Sequence, residues 1–302
     1  MCSISGWISS EPLQPNTARR LATALLIYGE SRGSHSAGIH YGTTLKAATS
    51  ATDLVETPEF DKLFETPSTT CLIHTRMPTS GGRTAEHAQP FVSGDVVAVH
   101  NGMIANCKSL MQSWNLNKLN KKEPVDSELF SVYCDLYGAA NLPAFMEQVS
   151  GPSTVAVLDR EKLYLMRNNN PLEYYTLILD NGITFTTFAS TEGILLNALR
   201  YLWIIEELTS SAMFTDGQLY TLAADGPSTL GTPITKKVLS YGKGMGKNHP
   251  YSGYGGHWAD WEDDELDWGD AHFWKRGRDG VYRQFTFYEW QKEEEAMHEA
   301  EG

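Results

Sequence analysis

The chain is 302 residues long, with 41% hydrophobic and 20% charged residues and a formal net charge of −13. That length can bury a full-sized core. No apolar run approaches the ~18 residues of a membrane span, and an acidic chain without a basic stripe argues against direct nucleic-acid binding. The four cysteines (Cys2, Cys71, Cys107 and Cys134) form no spaced framework, no CxxC pair and no zinc-type cluster with histidine. They point to free thiols in a reducing, cytoplasmic setting and to no structural metal.

The chain opens MCSISGWI, with Cys2 directly behind the initiator methionine. It can be a buried thiol at the start of a first strand. Alternatively, once Met1 is removed, one residue carries both a thiol and a free α-amino group. No basic segment precedes the apolar run, so it does not read as a secretory signal. Strands are predicted over Ser3–Ile8, Thr70–Thr75, Asp95–His100, Ser153–Leu158, Lys162–Met166, Tyr174–Leu179, Thr184–Phe188 and Gln218–Leu222. Asp159-Arg160-Glu161 between the fourth and fifth predicts a hairpin. A helix is predicted over Ala18–Tyr28, where Leu21, Ala24, Leu25 and Tyr28 share a face. A second, capped by Asp126 or Ser127, runs to Tyr137 with Leu129, Val132, Tyr133 and Leu136 inward. A third, capped by Thr191, covers Glu192–Leu202. Short turns join most of the strands, which favours antiparallel sheets with helices packed on them over a doubly wound parallel sheet.

The character changes after about residue 225. The stretch GKGMGKNHPYSGYGG (242–256) reads as a glycine-rich linker, and its spacing does not fit a phosphate loop. An acidic segment with Trp258, Trp261, Trp268 and Trp274 follows, then an acidic helical end at Glu289–Glu301. From Trp258 onward there are 14 acidic against 5 basic residues. Two parts are expected: a body over residues 1–235 and, over 236–302, a linker with an acidic, Trp-rich extension. That extension can dock a partner, strap its own body or stay loose.

Three stretches set polar groups against an apolar strand. LIHTRMPTSGG (72–82) ends a strand at His74-Thr75-Arg76, VVAVHNGMIAN (96–106) runs a buried strand into His100-Asn101-Gly102, and EPVDSE (123–128) places Asp126 at a helix start. Each residue alone has an ordinary structural role, as a rim arginine, a turn or a cap. Together with Cys2 they have a chemical logic. A thiol nucleophile needs a base, and an α-amino group of pKa about 8 can supply it from the same residue. An Asn side chain and the next Gly N–H offer two donors to an oxyanion. Arg76 can hold a carboxylate bidentately while Asp126 holds an ammonium, as a zwitterionic amino-acid substrate requires.

In order and content, Cys2, SRGSHSAGI (31–39), HTRMPTSG (74–81), AQPF (88–91), VHNGMIAN (99–106) and VDSE (125–128) resemble the glutaminase domain of class II glutamine amidotransferases. These belong to the N-terminal-nucleophile hydrolases. The resemblance covers residues 2–222 and implies an α+β fold, a four-layer αββα sandwich of two antiparallel sheets. It implies Cys2 as nucleophile with its freed amine as base, and Asn101 and Gly102 as oxyanion hole. Arg76, Thr79 and Asp126 would bind L-glutamine, and Arg32, Gly33, His74 and His100 would support the site. It implies no cofactor. Met77 and Ser80 stand where the amino-sugar enzymes of the family have Trp and His, and His35 replaces an Asp of the RGxDSxG stretch. AQPF is closer to the purine-pathway relatives. Only about 75 residues follow the body, too few for a synthase domain. The expectation is therefore a stand-alone glutaminase that passes ammonia to a separate synthase. The alternatives are an amidohydrolase of a γ-glutamyl compound and an inactive binding scaffold.

Overall fold

Residues 96–99 read Val-Val-Ala-Val, and successive side chains of a strand leave it on opposite faces. Val97 and Val99 join Ile4, Leu72, Ala156, Leu158, Leu163, Leu165 and Phe188 in one buried cluster. Val96 and Ala98 join Val155, Val157, Tyr164, Met166, Leu129, Phe130 and Phe145 in another. A strand with apolar residues on both faces has to lie inside a layered structure, with a second sheet on one side and helices on the other.

The computed structural model describes residues 2–77, 84–116, 125–204, 208–234, 272–276 and 282–286, the last two stretches as backbone only. In chain order the elements are β1 (Ser3–Ser9), α1 (Pro15–Gly29), β2 (Ser36–Tyr41), β3 (Thr43–Ala47), α2 (Ala51–Val55), α3 (Pro58–Leu63), β4 (Thr70–Arg76), β5 (Phe91–Ser93), β6 (Val96–Gly102), α4 (Cys107–Ser113), α5 (Glu128–Tyr137) and α6 (Leu142–Met146). There follow β7 (Ser153–Asp159), β8 (Lys162–Asn168), β9 (Glu173–Ile178), β10 (Thr184–Ala189), α7 (Glu192–Tyr201), β11 (Leu208–Met213), β12 (Leu219–Ala223) and β13 (Gly226–Leu230), then β14 (His272–Arg276) and β15 (Tyr282–Thr286).

One sheet has the order β11-β9-β10-β1-β4-β2-β3 and the other β13-β12-β8-β7-β6-β5. Neighbouring strands in both are antiparallel. Helices α1 and α7 pack together on the first sheet, against β1, β4, β9 and β10. Helix α5 covers β5, β6 and β7 on the second. The two sheets meet where β6 lies across β1 and β4, and β12 across β1 and β10. The result is the α+β sandwich of four layers, helix–sheet–sheet–helix. Each fully buried Leu, Ile, Val or Phe in the two clusters contributes about 1.5–3 kcal/mol of transfer free energy.

The eight predicted strands and three predicted helices are present, with ends shifted by a few residues at most. The 153–166 hairpin forms with Asp159 opposite Lys162, and Arg160 adopts φ +56° in its turn. Strands β2, β3, β5, β11, β13, β14 and β15 carried no signal. The residues Ser36, Ala37 and Gly38 that begin β2 are poor strand formers, yet all are buried, and β11 is a largely exposed edge. Neither Asp126 nor Ser127 caps α5, and Thr191 does not cap α7, by a side-chain hydrogen bond. Asp126 and Ser127 are turned to other partners, described below.

The chain divides into two compact units, Met1–Gly244 and Met245–Gly302. Within the second, β14 and β15 form an antiparallel pair with His272 opposite Thr286. The linker at 242–256, Trp258, Trp261, Trp268 and the helical end predicted for Glu289–Glu301 lie outside the described residues. Among the described residues, no helix is long and apolar enough to cross a membrane.

Candidate active site

Cys2 immediately precedes β1, and its side chain shares a face with Ile4, two residues on, which points into the layer between the sheets. On β4, Leu72 occupies the same layer, so His74 and Arg76 share that face. The β1–β4 register, with Ser3 opposite Thr75 and Ile4 opposite His74, carries on to bring Arg76 beside Cys2. On the second sheet Val97 and Val99 point into the layer, and Asn101 follows them with the same spacing. Three strand ends thus deliver Cys2, Arg76 and Asn101 to one edge of the sandwich. A separate cleft of about 380 Å³, between His40, Val92, Asp95, Leu158 and Arg160, lies at the opposite ends of β2 and β6.

Cys2 is half-buried, and its Sγ donates to the Met77 carbonyl at 3.5 Å. Burial pushes the thiol above its ordinary range, while the Met77 contact and the charges of Arg76 and Arg32 pull it back. Arg32 Nε donates to the Cys2 carbonyl at 3.0 Å, which fixes the backbone of the nucleophile candidate. Gly33 is buried next to it. Burial lowers the Arg32 and Arg76 pKa values, and the charges of Cys2, and of Asp126 for Arg76, act the other way. Arg76 is therefore a buried cation within electrostatic reach of a thiol and a carboxylate.

The Asp126 carboxylate accepts from the Ile104 N–H at 2.8 Å and from the Ser127 N–H at 3.0 Å. It thereby ties the loop that leaves β6 to the start of α5. The second hydrogen bond explains why Asp126 looked like a helix cap from sequence. Ser127 is occupied by the His100 ring, whose Nδ1 lies 2.9 Å from the Ser127 hydroxyl and whose Nε2 lies 3.2 Å from the Ser153 hydroxyl. That ring also packs on Phe130, with centroids 4.8 Å apart. Burial pushes the His100 pKa down and Asp126 acts against it. His74 is wholly buried, and burial, then the charges of Arg76 and His100, lower its pKa to about 3. Both histidines are neutral props set behind the strand ends.

Asn101 is 3% exposed, and its Nδ2 is a buried donor without a hydrogen-bond partner among the described residues. Buried amides are satisfied in the great majority of cases, so this Nδ2 is a donor left open to an acceptor at the strand end. Its carbonyl is held by Asn170 Nδ2 at 2.9 Å, and the Asn170 carbonyl in turn accepts from Thr154 at 3.1 Å. Gly102 follows with φ +150°. A Cβ there would lie 2.1 Å from the Pro152 carbonyl oxygen and 2.8 Å from His100 Nε2, so only glycine fits.

The structure thus gathers Cys2, Arg32, Arg76 and Asp126 into one electrostatic neighbourhood and brings Asn101 and Gly102 to the same edge. His74 and His100 stand behind them. Thr79 lies outside the described residues. Sequence reasoning missed Asn170 and Gln89, whose side chains grip backbone far away in sequence. Gln89 was visible only as part of AQPF. Among the described residues, no group of three or more His, Cys, Asp or Glu could hold a metal ion.

Residues 74–197 match the glutamine amidotransferase domain family. The chain is 28% identical over 223 residues to the glutamine–fructose-6-phosphate aminotransferase (isomerizing) of Aliivibrio fischeri, covering 68% of this chain and 34% of that protein. It is 26% identical over 186 residues to the 7-cyano-7-deazaguanine synthase of Saccharolobus solfataricus, covering 57% and 39%. In fold it is similar to the glutamine phosphoribosylpyrophosphate amidotransferase of B. subtilis, with a TM-score of 0.59, 17% identity and 76% of this chain covered against 49% of that one. Over its first unit the chain is similar to class II glutamine amidotransferases. Domains of this class act on the glutamine amide and use an N-terminal cysteine in this fold. The amidotransferase domain here spans about a third of the length of the curated relatives it matches.

Proposed function

We propose that this protein hydrolyses L-glutamine to glutamate and ammonia through a thioester on Cys2, and passes the ammonia to a separate synthase. The observation that carries the reading is the buried, unpaired Nδ2 of Asn101, brought to the same edge of the sandwich as Cys2, Arg76 and Asp126. It supplies the donor that a tetrahedral oxyanion needs, at a site already fitted for an amino acid's two charges.

Arg76 holds the α-carboxylate and Asp126 the α-ammonium of glutamine, with Thr79 completing the pocket. With Met1 removed, the Cys2 amine takes the thiol proton directly or through a water, and Sγ attacks the side-chain carboxamide. The carbonyl electrons move onto oxygen, which Asn101 Nδ2 and the Gly102 N–H receive. The carbon–nitrogen bond then breaks, and the leaving nitrogen takes the proton from the Cys2 ammonium and departs as ammonia. Water attacks the γ-glutamyl thioester, its proton passes to the amine, and the carbon–sulfur bond breaks to release glutamate and the thiol. Arg32 fixes the Cys2 backbone throughout. A synthase as acceptor is suggested by the relatives named above, an aminotransferase and a synthase.

Purified protein incubated with glutamine should release ammonia and glutamate in equal amounts, and Cys2→Ala should release neither. Turnover of a γ-glutamyl amide without turnover of free glutamine would instead favour a hydrolase of another γ-glutamyl compound. No turnover of either would leave a binding scaffold.

A further inference from the structure

Gln89 has no role in the chemistry above, yet it is 2% exposed and is spent entirely on backbone. Its Oε1 accepts from the His100 N–H at 2.6 Å, and its Nε2 donates to the His100 carbonyl at 3.0 Å. A side-chain amide is here acting as one more strand residue. It satisfies both main-chain groups of the residue just before Asn101, where β5 no longer pairs with β6: that ladder runs only from Phe91–Ala98 to Ser93–Val96. On its other side, the Gln89 carbonyl presses against Gly38 of β2, and a Cβ on Gly38 would lie 2.0 Å from that oxygen. Gly38 pairs with His74, and the neighbouring Ser36 pairs with Arg76. Gln89 therefore links the strand bearing Asn101 and Gly102 to the strand beside Arg76.

We infer that Gln89 is a positioning residue for the oxyanion hole: its carboxamide locks the His100 peptide groups and so fixes the direction of Asn101 Nδ2 and of the Gly102 N–H. Two features make this position sensitive. Among the described residues, the Asn101 Nδ2 has no hydrogen-bond partner to hold it. Its backbone is gripped from one side by Asn170 and from the preceding residue by Gln89. An oxyanion hole acts through donors already aimed at the developing charge, so a shift of a few tenths of an ångström at His100 falls on the chemical step rather than on substrate binding.

The inference rests on the glutaminase reading, and the test separates the two. Gln89→Glu keeps the acceptor for the His100 N–H and loses the donor to its carbonyl, while Gln89→Met removes both at similar volume. Each variant is compared with the full-length parent for kcat and KM with glutamine, for the rate at which iodoacetamide alkylates Cys2, and for its melting temperature. We expect kcat to fall by about tenfold or more in Gln89→Glu and further in Gln89→Met, on the scale of lost oxyanion donors. KM and the Cys2 alkylation rate should stay within about twofold, because neither uses the hole. If the parent turns over no glutamine, the proposed function fails whatever Gln89 does. If the parent is active and the variants keep its kcat, or kcat and alkylation fall together, or neither variant folds, Gln89 is an ordinary structural residue and the inference is overturned.

Discussion

Arg76 and Asn101 are both nearly buried at strand ends, yet they should fail in different ways when altered. Arg76 is a cation within electrostatic reach of Cys2 and Asp126, and its assigned partner is a carboxylate that glutamine carries in both ground and transition states. Arg76→Lys keeps the charge but loses the planar fork, so we expect KM to rise about tenfold or more with kcat changed far less. Asn101 is proposed to meet an oxygen that becomes negative only during reaction. Asn101→Ala should lower kcat by about 10²–10³-fold with KM nearly constant. Steady-state kinetics on the two variants check this, and a KM effect at Asn101 would contradict the oxyanion assignment. Cys71 and Cys134 are buried with raised pKa values, and burial pushes Cys107 up to about 11. Less of each is therefore thiolate at neutral pH than of an ordinary thiol.

At the level of elements, the sheets were legible wherever apolar residues ran through both faces of a strand, as in Val96–Val99 and Ser153–Leu158. Strand β2 was not, because it opens on Ser36, Ala37 and Gly38, poor strand formers of which Gly38 admits the close approach of the Gln89 carbonyl. The start of α5 was placed correctly for the wrong reason. Asp126 and Ser127 have cap-like chemistry, but their side chains hold Ile104 and His100 instead. The site residues could be picked out by type and order. Their supports, Gln89 and Asn170, depend on which strand ends meet in space, and local sequence carries no trace of that. The buried histidines have a consequence for stability. His74 has a folded-state pKa of about 3 against about 6.5 when unfolded. Between those values the unfolded chain binds a proton that the native chain refuses. Stability is therefore complete above about pH 6.5 and falls as pH drops toward 3, by about 1.4 kcal/mol per pH unit for this residue. His100 acts in the same direction. The urea midpoint should drop between pH 7 and pH 5, and His74→Leu should flatten that slope. An unchanged midpoint would mean that the histidines are not buried neutral.

For the whole molecule, both hydrophobic clusters and every described site residue belong to the unit Met1–Gly244. Removing residues 245–302 should leave glutamine turnover within about twofold and cooperative unfolding intact. Loss of either would make the acidic, Trp-rich extension part of the catalytic body. The central claim is that a processed N-terminal cysteine carries the glutamyl group. The most direct measurement is the intact mass of the protein, acid-quenched during turnover of glutamine. The expected protein begins at Cys2, a fraction of it bearing one γ-glutamyl adduct that hydroxylamine removes and that Cys2→Ala never acquires. Full activity in protein that retains Met1, or an adduct on any other residue, would contradict it.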